Sequence, residues 1–195
     1  MNARPLSSLL RTSLLLIGSA VIASVAASTR AQAQLPGTTS YTFTAAAGLA
    51  APVGDLSNLV SSGYTVSAAL GVHQSLAPFS LRVEGNFAEM PWSDNTGESG
   101  AKRRIFGLVL DGLFNLGTPS TTGGLYLTGG VGTYGTNDIN TFFGDTNRDW
   151  NLGFNAGLGY YLPLTGFSVV FEGRYTYIGG SQSQGFLPIT VGVTF

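Results

Sequence analysis

One histidine, no cysteine and a small set of charges placed in apolar surroundings are the groups from which this chain could build chemistry. His73 would have to serve as the base of any Ser-His-acid arrangement, because neutral imidazole is the side chain that takes up a hydroxyl proton near pH 7. The lack of cysteine removes disulfides, thiolate metal sites and thiol nucleophiles together. Gly130-Val131-Gly132-Thr133-Tyr134-Gly135 satisfies the spacing GxGxxG. A nucleotide site also needs a helix opening after the glycines, so that its amides meet the pyrophosphate. Thr136-Asn137-Asp138-Ile139-Asn140 has turn character instead, so small size is a sufficient account of these glycines.

Asp145-Thr146-Asn147-Arg148-Asp149 resembles the opening of an EF-hand loop. Trp150 then occupies the glycine position and Ala156 the position of the bidentate glutamate, so a polar surface loop is expected. Weak divalent-cation binding there is the lesser alternative. No cofactor and no metal site are expected. The remaining candidates are Arg82, Glu84, Asp111, Glu172 and Arg174, each set in an otherwise apolar or small-residue segment. What they can do depends on which elements carry them.

The first 33 residues read as an export signal rather than as part of the fold. Arg4 and Arg11 make a basic start, Ser13 to about Ala27 an apolar run, and Ala31-Gln32-Ala33 a small-x-small cleavage pattern. Cleavage is expected after Ala33, with Ala27 as the alternative site. A retained anchor competes, but the run is short against the ~20 apolar residues of a spanning helix. Residues 34–195 then form one domain with six basic residues against ten acidic ones, which excludes a basic nucleic-acid footprint.

Read with a period of two, that domain divides into eight segments. Leu187, Ile189, Val191, Val193 and Phe195 share one face of the last; Pro188, Thr190, Gly192 and Thr194 share the other. In the sixth, Trp150, Leu152, Phe154, Ala156, Leu158 and Tyr160 oppose Asn151, Gly153, Asn155, Gly157 and Gly159. On a helix these apolar residues would scatter around the cylinder. The first segment centres on Phe43–Leu49, the second on Tyr64–Val72, the third on Phe79–Phe87. The fourth is apolar on both faces around Ile105–Leu110, and Asp111 sets its parity, leaving Phe106, Leu108, Leu110 and Phe114 outside. The fifth places Leu125, Leu127 and Val131 against Tyr126, Thr128, Gly130 and Gly132. The seventh places Phe167, Val169, Phe171, Tyr175 and Tyr177 against Ser168, Val170, Glu172, Arg174 and Thr176.

Short connections near 74–78, 117–123 and 163–166 alternate with longer polar ones near 52–63, 92–102, 135–149 and 179–185. The expected fold is therefore all-β: an eight-stranded, antiparallel, up-and-down barrel. A soluble carrier barrel has an apolar interior and a wet exterior, so the side taken by the charges decides the solvent. Arg82, Glu84, Asp111, Glu172 and Arg174 lie on the Gly/Ser/Thr/Asn face, opposite the Phe, Leu and Val side chains. An interior holding all those aromatics would overfill eight strands. A transmembrane barrel is expected, with the charges inside and Tyr64, Trp92, Trp150, Phe167, Tyr177 and Phe195 in interfacial girdles. The charges should pair with one another as a structural polar core, or line a gated ion path.

Three stretches give a resemblance to the small outer-membrane β-barrel family typified by the OmpA transmembrane domain and OmpX-like proteins. They are Ala31-Gln32-Ala33, Pro52-Val53-Gly54-Asp55-Leu56 and the terminal Thr190-Val191-Gly192-Val193-Thr194-Phe195. The resemblance implies an outer-membrane location, lipid and lipopolysaccharide as surroundings, and Phe195 as a signal read by the barrel-assembly machinery. It departs from the OmpA arrangement in having no peptidoglycan-binding domain after Phe195, so no anchoring role is carried over. A monomer is expected. A non-enzymatic structural or surface-contact role is the leading expectation, with Trp92–Lys102 and Gly135–Asp149 as contact loops. A narrow channel is the alternative, and an outer-leaflet lipid-modifying enzyme using His73 the least favoured; its catalytic groups should lie at the end opposite His73.

Overall fold

The computed structural model describes residues 39–74, 78–93, 101–116, 124–140, 144–145, 149–180 and 183–195. The signal-peptide reading, with Ala31 and Ala33, lies outside these residues. Eight long strands carry the fold: β1 (Thr39–Val53), β2 (Gly63–Gln74), β3 (Phe79–Pro91), β4 (Lys102–Asn115), β5 (Gly124–Asn140), β6 (Asp149–Leu164), β7 (Phe167–Ile178) and β8 (Gln184–Thr194). Each pairs antiparallel with its neighbours in sequence, and β1 pairs with β8 to close the wall. The ladder continues past β8, where Phe43 and Phe195 exchange backbone hydrogen bonds of 2.9 and 3.0 Å. Closure satisfies the backbone groups between strands, the condition for crossing lipid without helices. Among the described residues no helix is long and apolar enough to cross a membrane.

Alternation sets which side chains face out. Leu49, Leu70, Leu108, Val131, Leu152, Phe154, Ile189 and Phe195 are all more than 45 % exposed, while Asp111 is fully enclosed. The parity taken from Asp111 for β4 holds. Phe106, Leu108, Leu110 and Phe114 lie on one face; Ile105, Val109 and Leu113 are buried beside Asp111. One strand carries an irregularity. The β7–β8 ladder is interrupted where Arg174 and Tyr175 pass Leu187 and Pro188, because proline has no N–H to donate.

Two connections differ from the sequence reading. The turn expected over 163–166 is only Thr165-Gly166, with Pro163 paired to Ser168. Gly166 takes φ +88°, a conformation that residues with a Cβ rarely adopt. The loop expected from Gly135 does not start there. β5 runs on to Asn140, and Gly144–Asp145 pairs back onto it as a short ribbon. Local polarity suggested a loop at 136–140, but pairing with β4 through Ile139 overrides it.

Candidate functional site: a charge network between a plug and a vestibule

The barrel interior has three levels. At the long-loop end, the chain leaves β1 through Gly54 (φ +66°) into a turn of 3-10 helix, Gly54–Asn58, that carries Leu56 into the lumen. Leu56, Val60, Met90, Ile105, Val109, Tyr134, Ile178 and Phe186 form a buried apolar cluster there. Trp92, expected in the outer girdle, packs partly buried against this plug instead, its ring 5.5 Å below the Arg103 guanidinium. The isolated bridge Val60↔Trp92 draws it inward past the end of β3.

The five charges singled out from sequence come together at the middle level, from β3, β4 and β7. Arg82 donates through Nε and Nη2 to Asp111 Oδ2 at 3.2 and 3.0 Å. It also crosses the lumen to Glu172, with Nη1 2.9 Å from Oε2 and Nη2 3.1 Å from Oε1. Arg174 donates to Glu84, to Asp111 at 3.3 Å, and pairs with Glu172 at 2.9 Å. All five side chains are at most 5 % exposed. Neutral donors complete the shell: Tyr126 Oη donates to Glu172 at 2.5 Å and Asn155 Nδ2 to Asp111 at 2.9 Å. Asp111 and Glu172 thus each receive several charge-assisted hydrogen bonds, and Glu84 one from Arg174 with Arg82 3.7 Å away, which is how a closed interior tolerates ions.

Glycines make room for this network. A Cβ on Gly130 would overlap the Asp111 carboxylate, and one on Gly159 would overlap the Tyr126 ring. The GxGxxG stretch therefore lies within β5, with strand rather than helix following it. Tyr126, Asn155 and Arg103 belong to the buried set although they were not singled out from sequence. Their parity was the available signal, since Arg103 shares the inward face with Asp111. Arg103 pairs with Asp138 at 2.6 Å at the level of the plug.

Below the network a vestibule of about 300 Å³ opens at the short-turn end. Ser40, Thr42, Thr44, Ser80 and Thr194 line it, and Arg82 reaches it from the network. His73 is also here, Nδ1 2.7 Å from Ser80 Oγ, with Nε2 buried and unpartnered. A Ser-His-acid triad needs an acid on the second imidazole nitrogen, and among the described residues none stands there. Of the EF-hand-like stretch, 146–148 lies outside the described residues; among those described, no His/Asp/Glu group is disposed to hold a metal ion.

No protein-family model and no curated protein matches this sequence. Solved structures do. Neisserial surface protein A superposes with a TM-score of 0.55 at 13 % identity, over 80 % of this chain and 97 % of that one. A major outer membrane protein of Thermus thermophilus superposes with a TM-score of 0.60 at 16 % identity, over 81 % and 98 % of the two chains. The fold is that of the small outer-membrane β-barrels. Identities this low carry the fold, not the roles of individual residues.

Proposed function

We propose that the chain is a monomeric outer-membrane protein whose barrel is an anchor and whose long-loop end is its working surface, used for contact with other surfaces or for envelope integrity. The filled interior carries this reading. An apolar plug and a saturated ion network occupy the lumen in series, leaving the loops as the variable part of a rigid scaffold. In bacterial outer-membrane barrels the longer loops face outside and the short turns face the periplasm. By that rule the end of the barrel at which the segments 93–101 and 141–148 join β3 to β4 and β5 to β6 faces outward, with lipid and lipopolysaccharide around the wall. Replacing those two segments by short turns should abolish adherence of expressing cells while the barrel still folds. Unchanged adherence would count against the contact role.

A narrow ion path is the second reading, favoured by the vestibule that already reaches Arg82 from one end. Under it the plug and the network are the gate. Planar-bilayer conductance should then rise in Arg174→Ala, and an electrically silent variant removes the path.

A further inference from the structure

Among the described residues, the charged side chains on the lipid-facing side of the wall are confined to one place. Glu89, Lys102 and Arg104 share the outward parity of Phe87, Phe106 and Leu108, at the long-loop end. Below them that face carries no charge among the described residues and is mostly apolar or aromatic, with Thr133 a polar exception, down to Phe79, Phe114, Phe167 and Phe195 at the short-turn end. The register draws Tyr64, Glu89 and Arg104 into one row across β2, β3 and β4, with Phe87 and Phe106 in the next row down, their rings 4.9 Å apart. Ten residues of tilted strand separate Arg104 from Phe114, a rise of roughly 25 Å, which matches the height of an outer-membrane apolar band. Arg104 and Lys102 therefore stand at its upper edge, where headgroups begin.

Glu89 is buried between the two cations, accepting from Lys102 Nζ at 2.9 Å and Arg104 Nε at 2.7 Å. The cations themselves stay open, with side chains 49 % and 40 % exposed. One carboxylate orients two cations and leaves the trio with a net positive charge. The guanidinium fork and the ammonium remain turned toward the lipid boundary.

We propose that Lys102 and Arg104 form a binding site for the phosphates of a phosphorylated outer-leaflet glycolipid, with Glu89 as the residue that positions both. A phosphate at the edge of the hydrocarbon offers the charge complement these two groups lack, and guanidinium and ammonium donors are the groups that bind it most strongly. Tyr64, Phe87 and Phe106 supply the apolar wall against which the acyl chains below that phosphate pack. The site rests on the membrane reading above and names the lipid class it selects.

The test uses the folded, detergent-solubilised protein, with lipid retention read by native mass spectrometry. Bisphosphorylated lipid A should be held about tenfold more tightly than its dephosphorylated form, as expected for a new charge-assisted pair. K102Q/R104Q should lose that preference, with R104Q alone as the milder variant. E89Q, which removes the carboxylate that orients both cations, should lower it, though less than K102Q/R104Q does, and an undiminished preference in E89Q takes the positioning role away from Glu89. Equal retention of the two lipids by the wild type, or undiminished preference in K102Q/R104Q, overturns the proposal. So does displacement of the lipid by millimolar inorganic phosphate, which would assign the site to free anions. Failure of the membrane reading itself would show separately, as gel mobility that does not change on boiling.

Discussion

Arg82 and Asp111 are register partners across the β3–β4 seam, and the guanidinium that grips Asp111 through two nitrogens also spans the lumen to Glu172. One side chain thus ties adjacent strands to the opposite wall. Its removal leaves three buried carboxylates, Glu84, Asp111 and Glu172, to share Arg174 alone, so negative charge is stranded in the network.

Arg82→Met should therefore lower stability by about 3–5 kcal/mol, the range for breaking a buried ion network from one side. Adding Asp111→Leu should recover part of the loss, because the second change removes one of the stranded charges. Urea titrations read by heat-modifiable gel mobility give both values. A single variant within 1 kcal/mol of the wild type would mean the network contributes little.

Tyr126→Phe deletes only the hydroxyl that donates to Glu172 and keeps the ring stacked 4.7 Å from Tyr161. The expected loss is about 1.5–3 kcal/mol, the range for a hydrogen bond to a charged acceptor. The same titration checks it, and an unshifted midpoint would show that Glu172 is satisfied by the arginines alone.

Glycines on the two faces should respond oppositely. Gly130→Ala drives a methyl into Asp111 and the Leu110 carbonyl and should cost about 1–3 kcal/mol. Gly85→Ala adds a methyl on the outward face with nothing within 4 Å and should be neutral to slightly stabilising. Comparing the two midpoints separates crowding inside the barrel from a general loss of glycine.

Phe195 is 64 % exposed on the outward face, its ring 6.2 Å from Phe167, so it fills no interior space. If it acts as the assembly signal, Phe195→Ala should slow insertion by reconstituted assembly machinery several-fold. Equilibrium stability should shift by less than about 1 kcal/mol, as for a surface substitution. Equal insertion rates would leave Phe195 as an ordinary lipid-facing residue.

The sequence by itself determined the strands, their faces and the sign of the solvent. A side chain's face depends only on the parity of its own strand, so Leu152 and Asn155, or Phe171 and Glu172, could be sorted without knowing any neighbour. Parity also set all five charges on one face, the face whose side chains are buried, and would have set Arg103 there had the β4 pattern been extended past Ile105. What parity cannot give is height. Whether Arg82 meets Asp111 depends on the β3–β4 register, and whether it meets Glu172 depends on the stagger accumulated around the whole closed wall.

The plug was equally hidden, because Leu56 reaches the lumen through a turn of 3-10 helix that no strand period predicts, and Trp92 follows it inward through the Val60 bridge. The outward trio of Glu89, Lys102 and Arg104 was hidden for a related reason. Read along the chain they sit at the margins of two segments, where strand and loop look alike. Only pairing across the β3–β4 seam extends both strands far enough to set the three side by side at the lipid edge.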